Sequence, residues 1–389
     1  MDAKLKSQKM GLMSVGRLLA VMSFPAILSM FVQSMYNVVD TVYVSRLGTE
    51  AITALSIAFP VQVFVMAFAI GIGIGTNSLV ARKLGAGMHK EASAVAKNGL
   101  FLSAAVSAAF VVIGLTLSST FVSMFTEDAV VRQMGTEYLT IVTVFSAGIL
   151  LETLLAKTLQ ATGNMIIPMI AQLIGAVTNI ILDPIMIFGY LGFPAMGVKG
   201  AAIATVIGQF ASLTFTSIMF KIKNHDVNLS YKGFKPDGGN IGSILYVGVP
   251  SIVINSIMSV TLVILNGHMA EIASIGIPIF GLYYKLQSFI FMPVFGLMQG
   301  AMPIMGYNFG ANNKERFVKA FRLTVLTSLA IMTAGTIIFQ TFPEFLLKLF
   351  NAEQTLIAEG VSALRLLSIC FIPASLGITI TTMFQSVGH

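Results

Sequence analysis

The stretch RLLAVMSFPAILSMFVQSMYNVVDTVYV, residues 17–44, decides the fold class of this protein. It carries no charged side chain between Arg17 and Asp40, and it exceeds the roughly 20 residues that an α-helix needs to cross a bilayer. Nine further apolar stretches of spanning length follow at about 51–82, 91–119, 129–161, 165–190, 197–220, 240–268, 273–309, 315–342 and 354–388. The sequence therefore predicts an all-α polytopic membrane protein with ten spanning helices.

The composition of the whole chain agrees with this prediction. Of its 389 residues, 56% are hydrophobic and 10% are charged, and the mean hydropathy is +0.87. Soluble domains contain about 25% charged residues, so a water-soluble globular protein is excluded. A single cysteine, Cys370, and four histidines exclude a disulfide scaffold and a cysteine-based zinc site.

The distribution of Lys and Arg predicts the orientation in the membrane. Seventeen of the 23 basic residues fall in one alternate set of loops and five in the other, which places the N-terminus in the cytoplasm. The first apolar run continues past spanning length with no cleavage motif, so we expect it to be retained as a helix of a multi-pass cell-membrane protein. The net charge of +7 then reflects topology, and no nucleic-acid partner is expected.

The chain contains an internal repeat, at the constant offset that aligns Pro25 with Pro250 and Gln62 with Gln287. We call this spacing the repeat offset. Glycines coincide most often: Gly71, Gly75, Gly85, Gly135 and Gly163 align with Gly296, Gly300, Gly310, Gly360 and Gly388. A repeat unit of six helices predicts two parallel, pseudo-symmetric lobes. We expect an N-terminal lobe at 1–222, a cytoplasmic linker at 223–239 and a C-terminal lobe at 240–389.

The second unit ends one residue after Gly388, the equivalent of Gly163, whereas the first unit continues for two more helices. We therefore expect a twelve-helix architecture of which this chain lacks the last two helices. A natural ten-helix form is the alternative.

Polar residues on the first helix break the repeat symmetry. Gln33, Asn37 and Asp40 recur at i, i+4 and i+7, on one helix face. Their counterparts at the repeat offset are all apolar: Met258, Leu262 and Leu265. Because ionisable and polar groups at membrane depth are costly, a face that only one lobe carries indicates function.

A second polar set lies on the fifth predicted helix. Asn179 and Asp183 are four residues apart, and Pro184 removes the N–H that would bond the carbonyl of Ile180. Two carboxylates, a carboxamide and a free carbonyl suit Na+, or a proton held by a carboxyl group. The alternative is that Asp40 and Asp183 are neutralised structurally.

Three further charged residues lie within predicted helices. Lys285 is predicted either to contact substrate in the cavity or to extend its ammonium group towards water. Glu152 and Lys157 are five residues apart on the fourth helix, and the sequence leaves their role open between function and helix packing.

Several motifs together resemble the multidrug and toxic compound extrusion (MATE) family, in its bacterial DinF-like and MepA-like branch. They are PAILSMFVQSMYNVVDTVYVSRLG at 25–48, ARKLGAGMHKEA at 81–92, LQATGN at 159–164, NIILDP at 179–184, GVKGAAIAT at 197–205, GYNFGAN at 306–312 and FQSVG at 384–388.

The resemblance implies a monomeric antiporter, not an enzyme, that exports small organic cations or drugs in exchange for H+ or Na+ by alternating access. It assigns the coupling ion to Asp40, Asn179 and Asp183, with Thr205 as a further ligand, and it needs no other cofactor. Gln33, Asn37 and Lys285 are expected to line the substrate cavity. Some relatives carry acidic residues in the core of the C-terminal lobe, and this chain does not. Some relatives also carry an Asn on the fourth helix where this chain has Ala156, Lys157 and Thr158. The loss of that Na+ ligand favours H+ as the coupling ion.

Three other classes of membrane protein are alternatives. A flippase for lipid-linked precursors or polysaccharide units is the main one, although it should carry several basic residues at membrane depth. A channel is disfavoured by the asymmetric acidic cluster. A membrane enzyme is disfavoured because no nucleophile–base pair or metal-ligand set is evident in the helices.

Overall fold

The computed structural model describes residues 4–222, 226–272, 276–348 and 354–389, and all regular structure in these ranges is helical. A single 3-10 turn lies at Tyr190–Gly192. The α-helices are α1 (Lys4–Leu12), α2 (Val15–Ser45), α3 (Thr49–Gly85), α4 (His89–Ser123), α5 (Ala129–Val144), α6 (Ala147–Ala161), α7 (Ile166–Phe188), α8 (Val198–Ile222), α9 (Gly238–Ile272), α10 (Gly276–Gly310), α11 (Lys314–Thr341), α12 (Pro343–Lys348), α13 (Gln354–Ser368) and α14 (Phe371–Val387).

The number of membrane spans agrees with the sequence prediction. Among the described residues, eight helices are long and apolar enough to cross a membrane, or up to ten spans if each of two bent pairs counts as one. The all-α polytopic fold is confirmed. Two short helices, α1 and α12, were not predicted, because neither is long enough to produce a spanning hydropathy signal.

Two stretches predicted as continuous helices, 129–161 and 354–388, are each broken in two. The break between α5 and α6 bends the chain by 42°, and the break between α13 and α14 bends it by 41°. Backbone bonds at the first break shorten to the i→i+3 type, from Ser146 N to Thr143 O and from Gly148 N to Phe145 O. Pro373 lies in the first turn of α14 and cannot donate to residue 369, which ends the preceding helix there. The two breaks lie within one residue of equivalent positions of the internal repeat.

The first half of the chain (α1–α8) meets the second half (α9–α14) through glycines of α3 and α10. A Cβ on Gly85 would overlap the carbonyl oxygen of Tyr307, and a Cβ on Gly310 would overlap the carbonyl oxygen of Arg82. The two glycines are separated by the repeat offset, and so are the two residues they touch, so the repeat relates one contact to the other. Here the absence of a side chain lets two backbones approach closely, as small residues do in membrane helix packing.

A second pair of contacts lies deeper in the bundle. Gly71 packs against Gly248 and Ile252 of α9, and Gly296 packs against Ile27 of α2. Ile27 and Ile252 are again separated by the repeat offset. All four glycines lie in the part of α3 or α10 that runs from its middle to its C-terminal end, so the two halves are pressed together at that end of the bundle. We call it the basic end, because it also carries α1 and the basic residues at two helix ends, Arg82 and Lys83 of α3 and Lys314 and Arg316 of α11.

The short helix α1 attaches the start of the chain to the second half. Arg316 donates from Nη2 to the carbonyl oxygens of Met10 (3.0 Å) and Met13 (2.6 Å) at the end of α1. Its Nε donates to Asn308 Oδ1 of α10 at 3.2 Å. A guanidinium group that satisfies the free carbonyls of a helix C-terminus stabilises that contact. The basic end is thus closed by hydrogen bonds as well as by glycine packing.

Candidate ion-coupling site

The two carboxylates singled out in the sequence meet in the first half of the chain. Asp40 lies in the last turns of α2, and Asp183 lies in the last turns of α7. Their side chains lie close enough to interact electrostatically. Asp183 is fully buried, and Asp40 is partly buried. Both residues lie at the end of their helix that is remote from the basic end.

Asn179 and Thr205 complete this cluster from α7 and α8. The amide of Asn179 donates to Asp183 Oδ1 at 3.2 Å and to Thr205 Oγ1 at 3.4 Å. Helices α7 and α8 are also joined lower down, where the hydroxyl of Ser212 donates to the carbonyl of Ala171 at 2.6 Å. The structure therefore places Asn179, Asp183 and Thr205 together beside Asp40, and their role in coupling stays a prediction.

Three oxygens of the group lack a hydrogen-bond partner. They are Asp40 Oδ1, Asn179 Oδ1 and Asp183 Oδ2, and each is buried without a partner among the described residues. A buried oxygen without a donor costs free energy, about 1–3 kcal/mol and more if it is charged. Oxygens of this kind attract a proton or a hard cation. No cluster of three or more His, Cys, Asp or Glu side chains suited to a metal ion occurs among the described residues.

Two tyrosines adjoin the carboxylates and were missed in the sequence. Tyr36 interacts electrostatically with both carboxylates. Tyr138 of α5 is buried, and its hydroxyl accepts a hydrogen bond from Gln62 Nε2 at 2.9 Å. Tyr36 precedes Asp40 by one helical turn, so its position was readable from the i, i+4 spacing. No local signal pointed to Tyr138, which comes from a helix much further along the chain.

Replacing Tyr138 by phenylalanine is expected to lower the thermal stability of the purified protein. The variant removes the acceptor of the Gln62 amide in a buried setting, which costs about 1 kcal/mol. Thermal unfolding in detergent, followed by intrinsic fluorescence or aggregation, measures the effect. Tyr43→Phe is the matched control, because no described residue bonds to the Tyr43 hydroxyl. Equal stability of the two variants would contradict the assignment.

Three further residues, Gln33, Asn37 and Lys285, were predicted to line the substrate cavity. Gln33 is partly buried and accepts a hydrogen bond from Gln172 Nε2 of α7 at 2.8 Å, which links α2 to the helix of Asp183. The side chain of Asn37 lies outside the part of the chain that the structure describes. Lys285 is exposed on α10. The predicted role of these three in substrate binding stays a prediction.

The two charged residues of the fourth span, on helix α6, are both partly buried. Glu152 and Lys157 interact electrostatically, but they are not within ion-pair distance. The ammonium of Lys157 instead reaches across to the second half and donates to Gln299 Oε1 of α10 at 3.2 Å. This contact was not foreseen in the sequence, because Gln299 lies far along the chain in the other half.

The family model of MatE matches residues 25–185 and 250–389, two segments whose starts are separated by the repeat offset. The chain belongs to the MatE family. The resemblance drawn from the motifs is thereby confirmed, and the MatE chain is a multi-pass membrane transporter rather than an enzyme. The family model thus matches the chain twice, once in each half. This agrees with the glycine contacts and the helix breaks, which also occur once in each half.

Two characterised relatives differ in the cargo that their names give. The MatE chain is 26% identical over 345 residues to an FAD transporter of Shewanella oneidensis, with 88% of this chain and 76% of the relative aligned. It is 25% identical over 369 residues to the multidrug export protein MepA of Staphylococcus aureus, with 94% and 80% aligned. Multidrug exporters are thus among the homologues of this MatE transporter.

Two solved structures have the same fold. One is the outward-facing conformation of a multidrug resistance MATE transporter, with a TM-score of 0.92, 26% identity and coverage of 98% of this chain and 85% of the other. The other is a transporter from Pyrococcus furiosus described as having a binding pocket of reverse polarity, with a TM-score of 0.91, 25% identity and coverage of 100% and 86%.

Proposed function

We propose that this MatE transporter is a proton-coupled antiporter that exports amphipathic organic compounds by alternating access. The observation that carries the proposal is the Asp40–Asp183 pair, with its unpartnered oxygens buried beside Asn179. Two ionised carboxylates that lie close together repel each other, so the pair favours binding one proton. The gradient of that proton supplies the free energy for export.

The site and the contact between the two halves lie at opposite ends of the bundle. In this structure the halves are pressed together at the basic end, and the carboxylates lie near the other end. With the basic end in the cytoplasm, as the distribution of Lys and Arg predicts, the structure corresponds to a state closed towards the cytoplasm. Entry of a proton from outside would neutralise the pair and change the packing of α2 against α7.

The direct test uses the protein in proteoliposomes loaded with a fluorescent organic cation. We expect efflux when a proton gradient is imposed and no efflux when only a Na+ gradient is imposed. Collapse of the pH gradient with a protonophore should stop efflux. Efflux driven by Na+ alone would assign Na+ to the same oxygens and overturn the proton proposal. Efflux under neither gradient would make the lipid-precursor flippase the leading function.

FAD is a second candidate cargo, because an FAD transporter is among the relatives of this chain. One feature of the structure favours it: Lys157 supplies a positive charge between the two halves. The same liposomes loaded with riboflavin or with FAD test this candidate, since the two share a fluorescent ring and FAD adds a pyrophosphate and an adenosine group. Efflux of FAD but not of riboflavin is the expected result for this cargo, and retention of both would exclude it.

A further inference from the structure

A group of polar side chains lies between the two halves of the molecule, apart from the carboxylate site. Gln299 of α10 is at its centre, and its Oε1 accepts hydrogen bonds from Lys157 Nζ and from Gln160 Nε2, each at 3.2 Å. Its Nε2 contacts Met30 Sδ of α2 at 3.0 Å. Asn77 of α3 donates to the carbonyl of Lys157 at 2.8 Å. We call these five residues the central polar cluster; it draws on four helices from both halves.

No carboxylate among the described residues lies within ion-pair distance of the positive charge of this cluster. Lys157 forms no ion pair with any described residue, and Glu152, which interacts with it electrostatically, is not within ion-pair distance. An ammonium group has three hydrogens to donate, but among the described residues it finds one side-chain acceptor, which it shares with Gln160. A partly buried cation in this state favours an additional anionic ligand.

Other atoms of the cluster are also left without partners. Gln160 is 7% exposed and Asn77 is 1% exposed, and their side-chain oxygens Oε1 and Oδ1 have no hydrogen-bond partner among the described residues. Lys157, Gln299 and Met30 are each only partly buried, so the cluster is not sealed off. A partly exposed cation beside unsatisfied polar groups, at the contact between two domains, is typical of a ligand site.

The lysine is held in place rather than free to extend towards water. Its stem passes over Gly73 of α3, where a Cβ would come within 2.8 Å of Lys157 Cγ. The second half has no equivalent charge, because the counterpart of Lys157 at the repeat offset is Thr382. Gln385, the counterpart of Gln160, donates instead to the hydroxyl of Ser251 at 2.9 Å. In the second half, the neutral Thr382 occupies the position equivalent to Lys157. Helix packing at this position therefore does not require a charge, so the charge of Lys157 indicates a function other than packing.

We propose that Lys157 binds an anionic group, a carboxylate or a phosphate, on the otherwise apolar compound that is transported. Gln299, which accepts a hydrogen bond from Lys157, marks the place of that group. The cluster is separate from the coupling site, since Met30 lies ten residues before Asp40, about 15 Å along α2. The inference rests on the proposed export function and names a substrate class for it: anionic or zwitterionic amphiphiles rather than cations alone.

A pair of probes that differ only in the anionic group tests this assignment. A rhodamine with a free carboxylate and its methyl ester share the same fluorescent ring system. We expect Lys157→Gln to reduce export of the carboxylate probe by at least about tenfold, the usual loss for a charge-assisted hydrogen bond, and to leave export of the ester within about twofold. Lys157→Arg should retain export of both. Lys319→Gln is the matched control, because it removes an exposed lysine of α11, and it should alter neither.

Two results would overturn the proposal. An equal loss for both probes would show that Lys157 only holds the two halves together, and no loss for either would show that it does not contact substrate. If the wild-type protein exports neither probe, the export function itself fails. In that case, a binding measurement with the two probes still tests whether Lys157 binds an anionic group.

Binding is measured in detergent by fluorescence polarisation of the two rhodamines, with no gradient. Tighter binding of the carboxylate probe that is lost in Lys157→Gln supports the anion site, and equal binding of the two probes contradicts it. Competition distinguishes the two kinds of anion. Displacement by benzoate indicates a carboxylate site, displacement by phenyl phosphate indicates a phosphate site, and displacement by neither contradicts the assignment.

Discussion

Asp40→Asn will abolish proton-driven export while the protein remains folded and inserted. The amide has nearly the shape of the carboxyl group, so packing of α2 against α7 is retained. An amide neither binds nor releases a proton at ordinary pH, so the variant cannot take up the proton that the Asp40–Asp183 pair shares. We expect efflux of a fluorescent organic compound under an imposed pH gradient to fall to the rate of protein-free liposomes.

A matched carboxylate elsewhere provides the control for this experiment. Glu359 is exposed on α13 in the second half, and Glu359→Gln removes one negative charge without touching the site. It should export at the wild-type rate. Substrate binding measured without a gradient separates coupling from recognition, and Asp40→Asn should still bind the compound. Full gradient-driven export by Asp40→Asn would show that the coupling proton is held elsewhere.

Gly85→Ala will shift the molecule away from the state closed at the basic end. The added methyl group would overlap the backbone oxygen of Tyr307, and a backbone atom of a packed helix cannot move aside as a flexible side chain can. Overpacking of this kind costs about 1–3 kcal/mol. That cost changes the ratio of closed to open molecules by about fivefold to a hundredfold, because each ~1.4 kcal/mol is a factor of ten. Export should fall, since alternating access needs both states.

The accessibility of a buried position measures this shift directly. Ser78 is fully buried on α3, and its hydroxyl bonds to the carbonyl of Ser386 in the second half. In a Cys370→Ser background, a cysteine at position 78 should react slowly with a water-soluble maleimide, and Gly85→Ala should accelerate the reaction. Gly242→Ala is the control, since a Cβ there meets no atom within 4 Å. An unchanged labelling rate in Gly85→Ala would contradict a closed basic end.

The membrane spans were predicted accurately because hydropathy is a local property of the chain. A helix in lipid satisfies its backbone hydrogen bonds internally, so an apolar run of sufficient length identifies a span without knowledge of its neighbours. The helix breaks at 145–146 and 369–370 were not predicted, because hydropathy identifies apolar runs but not bends within them. Both sides of each break are apolar, and hydropathy does not record a change from i→i+4 to i→i+3 bonding.

The carboxylate site could be predicted in part. Asp40, Asn179 and Asp183 stand out because charged and amide groups are rare in apolar helices and because the repeat shows apolar residues opposite the first of them. Thr205 was assigned to the site only by the family resemblance. Tyr138 was not predicted, because no local sequence pattern relates it to the carboxylates. Which oxygens meet depends on how α2, α5, α7 and α8 rotate against one another, and that rotation is set by packing between distant segments.

The sequence by itself determined the all-helical membrane fold, the two-fold repeat and the acidic residues of the first half, because length, hydropathy and symmetry are properties of the chain alone. The tertiary structure decided which residues become neighbours: the meeting of Asp40 with Asp183, the closure at Gly85 and Gly310, and the contact of Lys157 with Gln299. The physical reason is that each contact joins helices that are far apart in the chain. Their approach is fixed by the fit of whole helix surfaces, which no local pattern records.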